Sequence, residues 1–340
     1  MFVLQAAVVK GRGGIGAAVT HYHRMLREVG AASATLYRGP AADAFRAEGL
    51  ELIEAPRALT SPLGGLLPVF GKLKAAIAER AGSLPLVVVV HSDRALPALQ
   101  SLFPQAAFVA PCHSDNFKHK GGADLVITLN AAQHELACAR LRATRVAMLG
   151  NPYVPAPHAA VRAQGQLRVN FVARFIPAKA PMTLMRAAEL VASPGLEFRF
   201  FGAGPLEEEM RAEAAAQGVN ATFPGWVTSP FDAFHSNDIL VLPSSWEGLP
   251  YLLLEALDRG IPVIASDIAG NRAALKNGAY GALFPLGDEI ALAAVIQEAL
   301  ANLDALRGRS ENGAASLRAR FGAASFWQAL QRELGLCANA

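Results

Sequence analysis

The chain has 340 residues, a formal net charge of +3, 52% apolar residues and 17% charged ones. That length exceeds what one hydrophobic core usually grows to and points to two domains, while the apolar content excludes a disordered chain. The three cysteines, Cys112, Cys138 and Cys337, are odd in number and far apart, which excludes a disulfide framework or a cysteine metal site and fits a reduced compartment.

In chain order, Phe2–Val9 reads as a strand, Gly11–Gly16 as a loop and Ala17–Val29 as a helix. Ala34–Tyr37 and Leu86–Val90 read as strands, the second followed by His91-Ser92-Asp93 and a helix at Ala95–Leu102. Ala107–Ala110 is a strand running into Cys112-His113-Ser114-Asp115; then come strand Leu125–Leu129, helix 131–141 and strand Val146–Leu149. Residues 151–165 are rich in Pro and Ala without an apolar period and read as a linker. The same grammar then restarts with strand Leu167–Ala173, helix 181–192, strand Glu197–Phe201, helix Glu207–Gln217 and strands Ala221–Phe223 and Ile239–Leu242. Helix 250–259, strand 262–265 and helices near 288–303 and 312–335 complete it, with Ser316–Leu334 as the last helix. Short apolar runs alternating with helical patterns predict parallel, doubly wound sheets, hence two Rossmann-like α/β halves. In such sheets ligands bind beyond the carboxyl ends of the strands, so a two-lobed chain is expected to present its functional residues to a central cleft.

Several function classes fall away. The N-terminus lacks a basic region before its apolar run, and the run Leu84 to Val90 is too short to span a bilayer, so a cytoplasmic protein is expected. Residues 1–150 carry sixteen Lys and Arg against ten Asp and Glu, +6, and the remainder carries −3. The basic half points to an anionic partner, a phosphorylated acceptor or an anionic membrane surface, or else is a solvated basic face. Nucleic acid is not expected, because the cations are scattered and not interleaved with aromatics. No Asp-x-Asp and no His/Cys/carboxylate cluster with ligand spacing occurs, so no metal site is expected.

Gly11-Arg12-Gly13-Gly14-Ile15-Gly16 matches the pattern of a phosphate-binding turn between strand and helix. A dinucleotide site also calls for an acidic residue about twenty positions on. Leu36-Tyr37-Arg38 has none, although Arg38 suits a 2′-phosphate. The other readings are a tight turn that touches nothing and a loop that approaches a diphosphate.

In the second half, Arg174 and Lys179 lie five residues apart on one loop, a pairing that suits a diphosphate and equally fits two solvated cations. Leu240 to Glu255 carries the most specific signal. A buried strand enters a turn with Glu247, Pro250 sits near a helix start, and Glu255 follows eight residues after Glu247 in an apolar helix. A carboxylate there needs a partner, which ribose hydroxyls or a salt bridge would supply.

With these residues in place, the chain resembles the GT-B glycosyltransferases, and among them the retaining glycosyltransferase family 4. The resemblance runs through Gly13-Gly14-Ile15-Gly16, His113, Ala173 to Lys179, Gly202-Ala203-Gly204-Pro205-Leu206, Phe223 to Val227, the Glu247 and Glu255 pair, Gly260 to Asp267 and Gly281 to Pro285. It implies a donor diphosphate held by Arg174 and Lys179. Glu247 would bind hydroxyls of the donor sugar, with the Gly248 and Leu249 backbone close by, and Glu255 would bind the ribose. Gly14 and Gly16 would meet the donor from the first lobe, and His113 would bond a sugar hydroxyl near the reacting carbon. His91, at another strand end, is the rival for that role or an acceptor contact. The chain departs from the family at Ala173, where Gly is common, and at Gly270-Asn271-Arg272-Ala273-Ala274, which lacks the usual acid.

The implied domains are 1–160 on the acceptor side, 161–315 for the nucleotide-sugar donor and a C-terminal helix 316–340 packing back on the first. The implied reaction is metal-independent sugar transfer, without a cofactor, from a nucleoside-diphosphate sugar to a glycan or lipid-linked acceptor in cell-surface polysaccharide or lipopolysaccharide assembly. Leu63, Leu66, Leu67, Phe70, Leu73 and Ile77 recur at helical spacing beside Lys72, Lys74 and Arg80, with Pro68 interrupting. This stripe packs on its own sheet or docks on an anionic membrane. The rival readings are a non-catalytic sugar-nucleotide-binding subunit, another GT-B enzyme such as an epimerase, and an NADP-dependent reductase. Against the first, a scaffold has no need for unpaired charges at Arg174, Lys179, Glu247 and Glu255.

Overall fold

The computed structural model describes residues 1–8, 14–60, 69–158, 166–191, 193 and 195–336. Gly11 to Gly13 of the glycine motif, Leu63, Leu66, Leu67 and Pro68 of the apolar stripe, residues 159–165 of the linker and Cys337 lie outside them. The chain divides into two compact units, Met1–Val154 with Arg318–Ala340, and Pro155–Leu317.

In unit 1 the elements are β1 (Phe2–Val8), α1 (Gly14–Glu28), β2 (Ala32–Arg38), α2 (Ala42–Ala47), β3 (Leu52–Glu54), α3 (Val69–Ala81), β4 (Leu86–Val90), α4 (Leu96–Leu102), β5 (Ala107–Pro111), β6 (Leu125–Thr128), α5 (Ala131–Arg140) and β7 (Arg145–Met148). Seven strands form one sheet in the order β3-β2-β1-β4-β5-β6-β7, every neighbouring pair parallel. The continuous apolar runs follow from this. Successive side chains of a strand face opposite sides of a sheet, and both sides are covered by helices. Phe2, Leu4, Ala6, Val88 and Val90 enter one core with Phe70, Leu73 and Ile77 of α3. Val3, Val87 and Val89 enter the other with Tyr22, Met25 and Leu26 of α1.

Unit 2 contains β8 (Arg168–Val172), α6 (Pro181–Leu190), β9 (Glu197–Phe201), α7 (Glu207–Gln217), β10 (Ala221–Gly225), β11 (Asp238–Leu242), α8 (Tyr251–Asp258), β12 (Val263–Ser266), α9 (Ala269–Leu275), β13 (Ala282–Phe284) and α10 (Glu289–Ala301). Its six parallel strands run β10-β9-β8-β11-β12-β13. This is the doubly wound order, with the strand sequence reversing between β8 and β11. Its core joins Val169, Phe171, Phe198, Phe200, Ile239 and Val241 to Leu184 and Met185 of α6 and Leu292 and Ile296 of α10.

Four elements depart from the sequence reading. The first helix starts at Gly14, so Gly14 to Gly16 form its first turn and not a loop. Residues 151–154 are buried, and Tyr153 donates its backbone N–H to Phe321, so the linker begins after Val154. The C-terminal helical stretch is two helices, α11 (Leu303–Phe321) and α12 (Ala323–Glu333). Gly322 separates them in an extended conformation (φ −63°, ψ 159°), and a Cβ on it would lie 2.3 Å from the Arg318 carbonyl oxygen. Finally, Phe70, Leu73 and Ile77 are buried in unit 1, so this part of the apolar stripe is core and not a membrane face.

The unit border falls inside α11, and α12 inserts Phe326 and Leu330 into the core of unit 1 beside Tyr22. Phe326→Ala is therefore expected to destabilise the protein by roughly 3–5 kcal/mol through lost burial and the cavity left behind. Denaturant titration checks this; an unchanged midpoint would show that α12 is dispensable to the core.

Candidate functional site

In unit 1 the order reverses between β1 and β4, and the two strand ends are tied there. The Ser92 hydroxyl accepts from the Val8 N–H at 2.8 Å and donates to the Val8 carbonyl at 2.9 Å. His91 follows β4 and is 2% exposed; His113 lies just past β5 and is half-buried. Their rings stack with centroids 5.2 Å apart at 21°, and His91 Nδ1 lies 3.0 Å from His113 Nε2. The other nitrogen of His91 lies 3.1 Å from Gln5 Oε1. Both ring nitrogens of His91 are thus occupied within the protein, which removes it as a rival to His113 or a contact for an acceptor.

Beneath the imidazoles lies Lys120, 1% exposed, with its Nζ 2.5 Å from Asp93 Oδ1 and 3.1 Å from the Pro111 carbonyl. A buried ammonium survives only with such partners. Burial, and then the Lys120 charge, pushes the His113 pKa down to about 3; burial, His113 and Lys120 together hold His91 well below the ordinary imidazole range. Burial pushes the adjacent Cys112 thiol up to about 12, so it stays protonated. Sequence reasoning passed over Gln5 and Lys120. The signal for Gln5 was present, since it is the one polar residue in the apolar run Phe2–Val8.

Gly14 is exposed and Gly16 half-buried in the first turn of α1. A Cβ on Gly14 would meet nothing within 4 Å, and one on Gly16 only Phe45 Cζ at 3.9 Å. The described packing does not require glycine at either position. Arg38, at the end of β2, reaches the Ala55 carbonyl at 3.4 Å.

In unit 2 the strand ends at the reversal point carry the other residues. After β8 the chain passes Arg174, which is exposed, into a short 3-10 turn, Pro177–Lys179. After β11 it passes Glu247 and enters α8 through Gly248, Leu249 and Pro250. The loops are joined by the Ser245 N–H and hydroxyl, both donating to the Ala178 carbonyl, and by an ion pair from Lys179 Nζ to Glu247 Oε1 at 2.5 Å. Lys179 and Glu247 are therefore not unpaired charges, as the sequence argument against a scaffold assumed; each satisfies the other. Gly248 and Leu249 are buried backbone at the entry to α8, and Glu255 is half-buried in that helix.

Close backbone packing holds these loops. A Cβ on Gly202 would lie 1.9 Å from the Ala173 carbonyl oxygen and one on Gly204 2.5 Å from that of Phe175, at φ values of +143° and +159°. A Cβ on Gly270, in the first turn of α9, would lie 2.2 Å from the Glu247 carbonyl oxygen. Behind the turn, Asn271 donates to the Ser266 carbonyl and hydroxyl, and Ser266 donates to the Ser244 carbonyl at 2.5 Å. Where the resembled family usually carries an acid, this chain has Ala273, preceded by Arg272, which is paired with Asp267.

Residues 166–302 match the family model described as Glycosyl transferases group 1. The crystal structure of Anabaena Alr3699/HepE in complex with UDP-glucose superposes with a TM-score of 0.77 at 17% identity, covering 99% of this chain and 100% of that one. The chain has the GT-B fold, and its residues 166–302 are similar to the group 1 glycosyl transferases. The apo lipopolysaccharide outer core galactosyltransferase WaaB superposes at a TM-score of 0.71 and 18% identity, covering 98% of this chain and 99% of that one. By sequence, a D-inositol 3-phosphate glycosyltransferase of Rhodococcus erythropolis is 36% identical over 35% of this chain and 30% of its own length. The Escherichia coli UDP-Gal:alpha-D-GlcNAc-diphosphoundecaprenol alpha-1,3-galactosyltransferase is 32% identical over 35% and 33%. The match thus spans about a third of the length of these two curated relatives. Among the described residues no helix is long and apolar enough to cross a membrane, and no three His, Cys, Asp or Glu side chains gather into a metal-binding group.

Two outcomes are expected. His91 and His113 are held below the pKa of 6.5 they have when unfolded, so the unfolded chain takes up protons first as pH falls. Their contribution to stability is complete above about pH 6.5 and is lost as pH falls toward 3. The melting temperature should drop over that window, and less steeply in His113→Asn; equal slopes would contradict the assignment. Gly270→Ala should displace the Glu247 turn and weaken ligand binding by unit 2, with the far-UV circular dichroism unchanged. Unaltered binding would show that the turn accommodates the methyl group.

Proposed function

We propose that this protein is a metal-independent, retaining glycosyltransferase of the hexosyltransferase type. It transfers a sugar from a nucleoside-diphosphate sugar to a glycan or lipid-linked acceptor in the assembly of a cell-surface polysaccharide or lipopolysaccharide, at the cytoplasmic side of the membrane. The observation that carries the reading is the grouping at the β8 and β11 ends. Lys179 pairs with Glu247 there, on the loop that also carries Arg174 and on the loop that leads into α8, within the segment that matches the group 1 family model. The solved structures of Anabaena HepE hold UDP or UDP-glucose, which makes a UDP-sugar the first donor to examine.

In this reading Arg174 and Lys179 bind the diphosphate, since a guanidinium fork and an ammonium together match more of its oxygens than either does alone. The amino end of α8 adds its partial positive charge. Glu247 and the Gly248–Leu249 backbone bind hydroxyls of the donor sugar, Glu255 binds the ribose, and Gly14 and Gly16 leave room for the donor at the start of α1. His113 accepts or donates one hydrogen bond at a sugar hydroxyl. The bond from the anomeric carbon to the phosphate oxygen breaks while the acceptor hydroxyl forms its bond on the same face. The departing phosphate oxygen takes the hydroxyl proton, and the cations stabilise the charge that develops there.

A thermal-shift screen of UDP-, GDP- and ADP-sugars and NADP on wild type and Glu255→Ala tests the donor assignment. A bound ligand raises the melting temperature by mass action, so one sugar nucleotide should give a shift that the variant loses. Response to NADP alone would sink the transferase reading. With the donor in hand, the anomeric configuration of the product is read by NMR. Retention is expected, and an inverted product or a trapped covalent glycosyl-enzyme would overturn the same-face step.

A further inference from the structure

The middle of β1 and the carboxyl ends of β4 and β5, three adjacent strands, carry a hydrogen-bonded chain that none of the roles above requires. Gln5 sits in the middle of β1 with no exposed surface, between Leu4 and Ala6. A buried primary amide is costly unless it is bonded. Its oxygen lies 3.1 Å from His91 Nε2, and His91 Nδ1 lies 3.0 Å from His113 Nε2. Tyr22 meets His91 edge-on, with ring centroids 5.0 Å apart, and Tyr22 is itself held by Phe326 of α12. The rings therefore have little freedom to rotate.

We propose that Gln5 and His91 are positioning residues that fix His113 as the neutral Nε2–H tautomer, so that its Nδ1 presents a lone pair to a substrate hydroxyl. The logic is a count of protons. A neutral imidazole carries one donor and one acceptor nitrogen. The Gln5 oxygen only accepts, so His91 must donate from Nε2. His91 Nδ1 then accepts, and His113 must donate from Nε2, leaving Nδ1 bare. No described residue bonds that nitrogen. The chain works only while both rings are neutral, because an imidazolium donates from both nitrogens. Burial and the Lys120 ammonium, itself fixed by Asp93 and the Pro111 carbonyl, disfavour the charged rings. The group served by His113 is thus a hydroxyl that donates a hydrogen bond, the chemical signature of a sugar and not of a phosphate oxygen. This deepens the transferase reading and rests on it for the identity of the ligand. The tautomer assignment rests on the protein alone.

The test is made on the full chain labelled with 15N-histidine, using long-range 1H–15N correlation, which distinguishes the tautomers without turnover. In wild type at neutral pH both His91 and His113 are expected as neutral Nε2–H forms. An Nδ1–H form at either ring, the pattern produced by a reversed Gln5 amide, overturns the proposal. Three variants then separate positioning from folding. His91→Asn keeps an acceptor near the former Nδ1 and should preserve the His113 tautomer. His91→Leu and Gln5→Met remove the relay, and each should give His113 a mixture of tautomers. With the donor identified, the two relay-breaking variants should lose turnover by about ten- to a hundred-fold, as loss of an orienting partner typically does, with less change in donor KM, and His91→Asn should recover part of it. An unmixed His113 signal in both would refute the relay. Intact tautomer behaviour without any sugar-nucleotide turnover would instead count against the transferase reading.

Discussion

Every strand in each sheet runs the same way, and the placement of the functional side chains depends on that constraint. Parallel pairing delivers all carboxyl ends to one edge, and the helix after each strand must leave over one face or the other. Where the strand order reverses, neighbouring helices leave over opposite faces, and the loops between them are not covered. In unit 1 that point lies between β1 and β4, next to Gly14, Ser92 and His91. In unit 2 it lies between β8 and β11, where Lys179 and Glu247 meet. The candidate residues gather there because the helices diverge at the reversal and leave the strand ends open.

Three ion pairs illustrate how burial decides what a charge does. Arg168 and Asp238 join β8 to β11, with Asp238 fully buried and both its oxygens bonded by the guanidinium at 2.7 and 2.8 Å. That bidentate pair lies at the amino ends of the strands and fixes register. Lys120 and Asp93 place a charge under two imidazoles and set their protonation. Breaking such a buried pair by removing one partner typically costs about 3–5 kcal/mol, so it is durable. Lys179 and Glu247 are more accessible, with side chains 23% and 11% exposed, and sit where two loops end. Solvent lowers the cost of separating them, which suits groups that exchange partners.

The architecture was legible in the sequence because it rests on repeated patterns. Glu197–Phe201 and Glu207–Gln217 have the same bounds in the structure as in the sequence reading, since each is a periodic run bounded by glycine. What escaped is short or lacks local signals. Strand β3 has three residues, and α2 has no side-chain cap at Ala41. The break at Gly322 was hidden because the glycine interrupts a helical pattern that continues on both sides, and its reason is a contact with the Arg318 carbonyl. Individual residues such as Arg174, Glu247 and His113 were readable by their places at strand ends. Their pairings were not, because Lys179 and Glu247, and likewise Gln5 and His91, lie far apart in the chain and meet only through strand order.

The Lys179–Glu247 pair changes how binding energy is reckoned at this site. An unpaired lysine and glutamate would gain the whole of their contact energy with a ligand. Here each already has a partner, so a ligand gains only the difference between its own contacts and the 2.5 Å bond it replaces. A diphosphate can outbid Glu247 for Lys179, since it carries more charge and more oxygens. The released carboxylate then needs donors, which the hydroxyls of a sugar attached to that diphosphate supply at the same time. A nucleoside diphosphate without its sugar leaves Glu247 without replacement donors, and a free sugar offers nothing to Lys179. On the proposed transferase reading the pair would couple recognition of the two halves of one molecule, and discrimination for an intact sugar nucleotide would follow from the mutual satisfaction of Lys179 and Glu247. Charge complementarity to a phosphate alone would favour the free diphosphate equally well, and on that reading it is the ligand the coupled pair would disfavour.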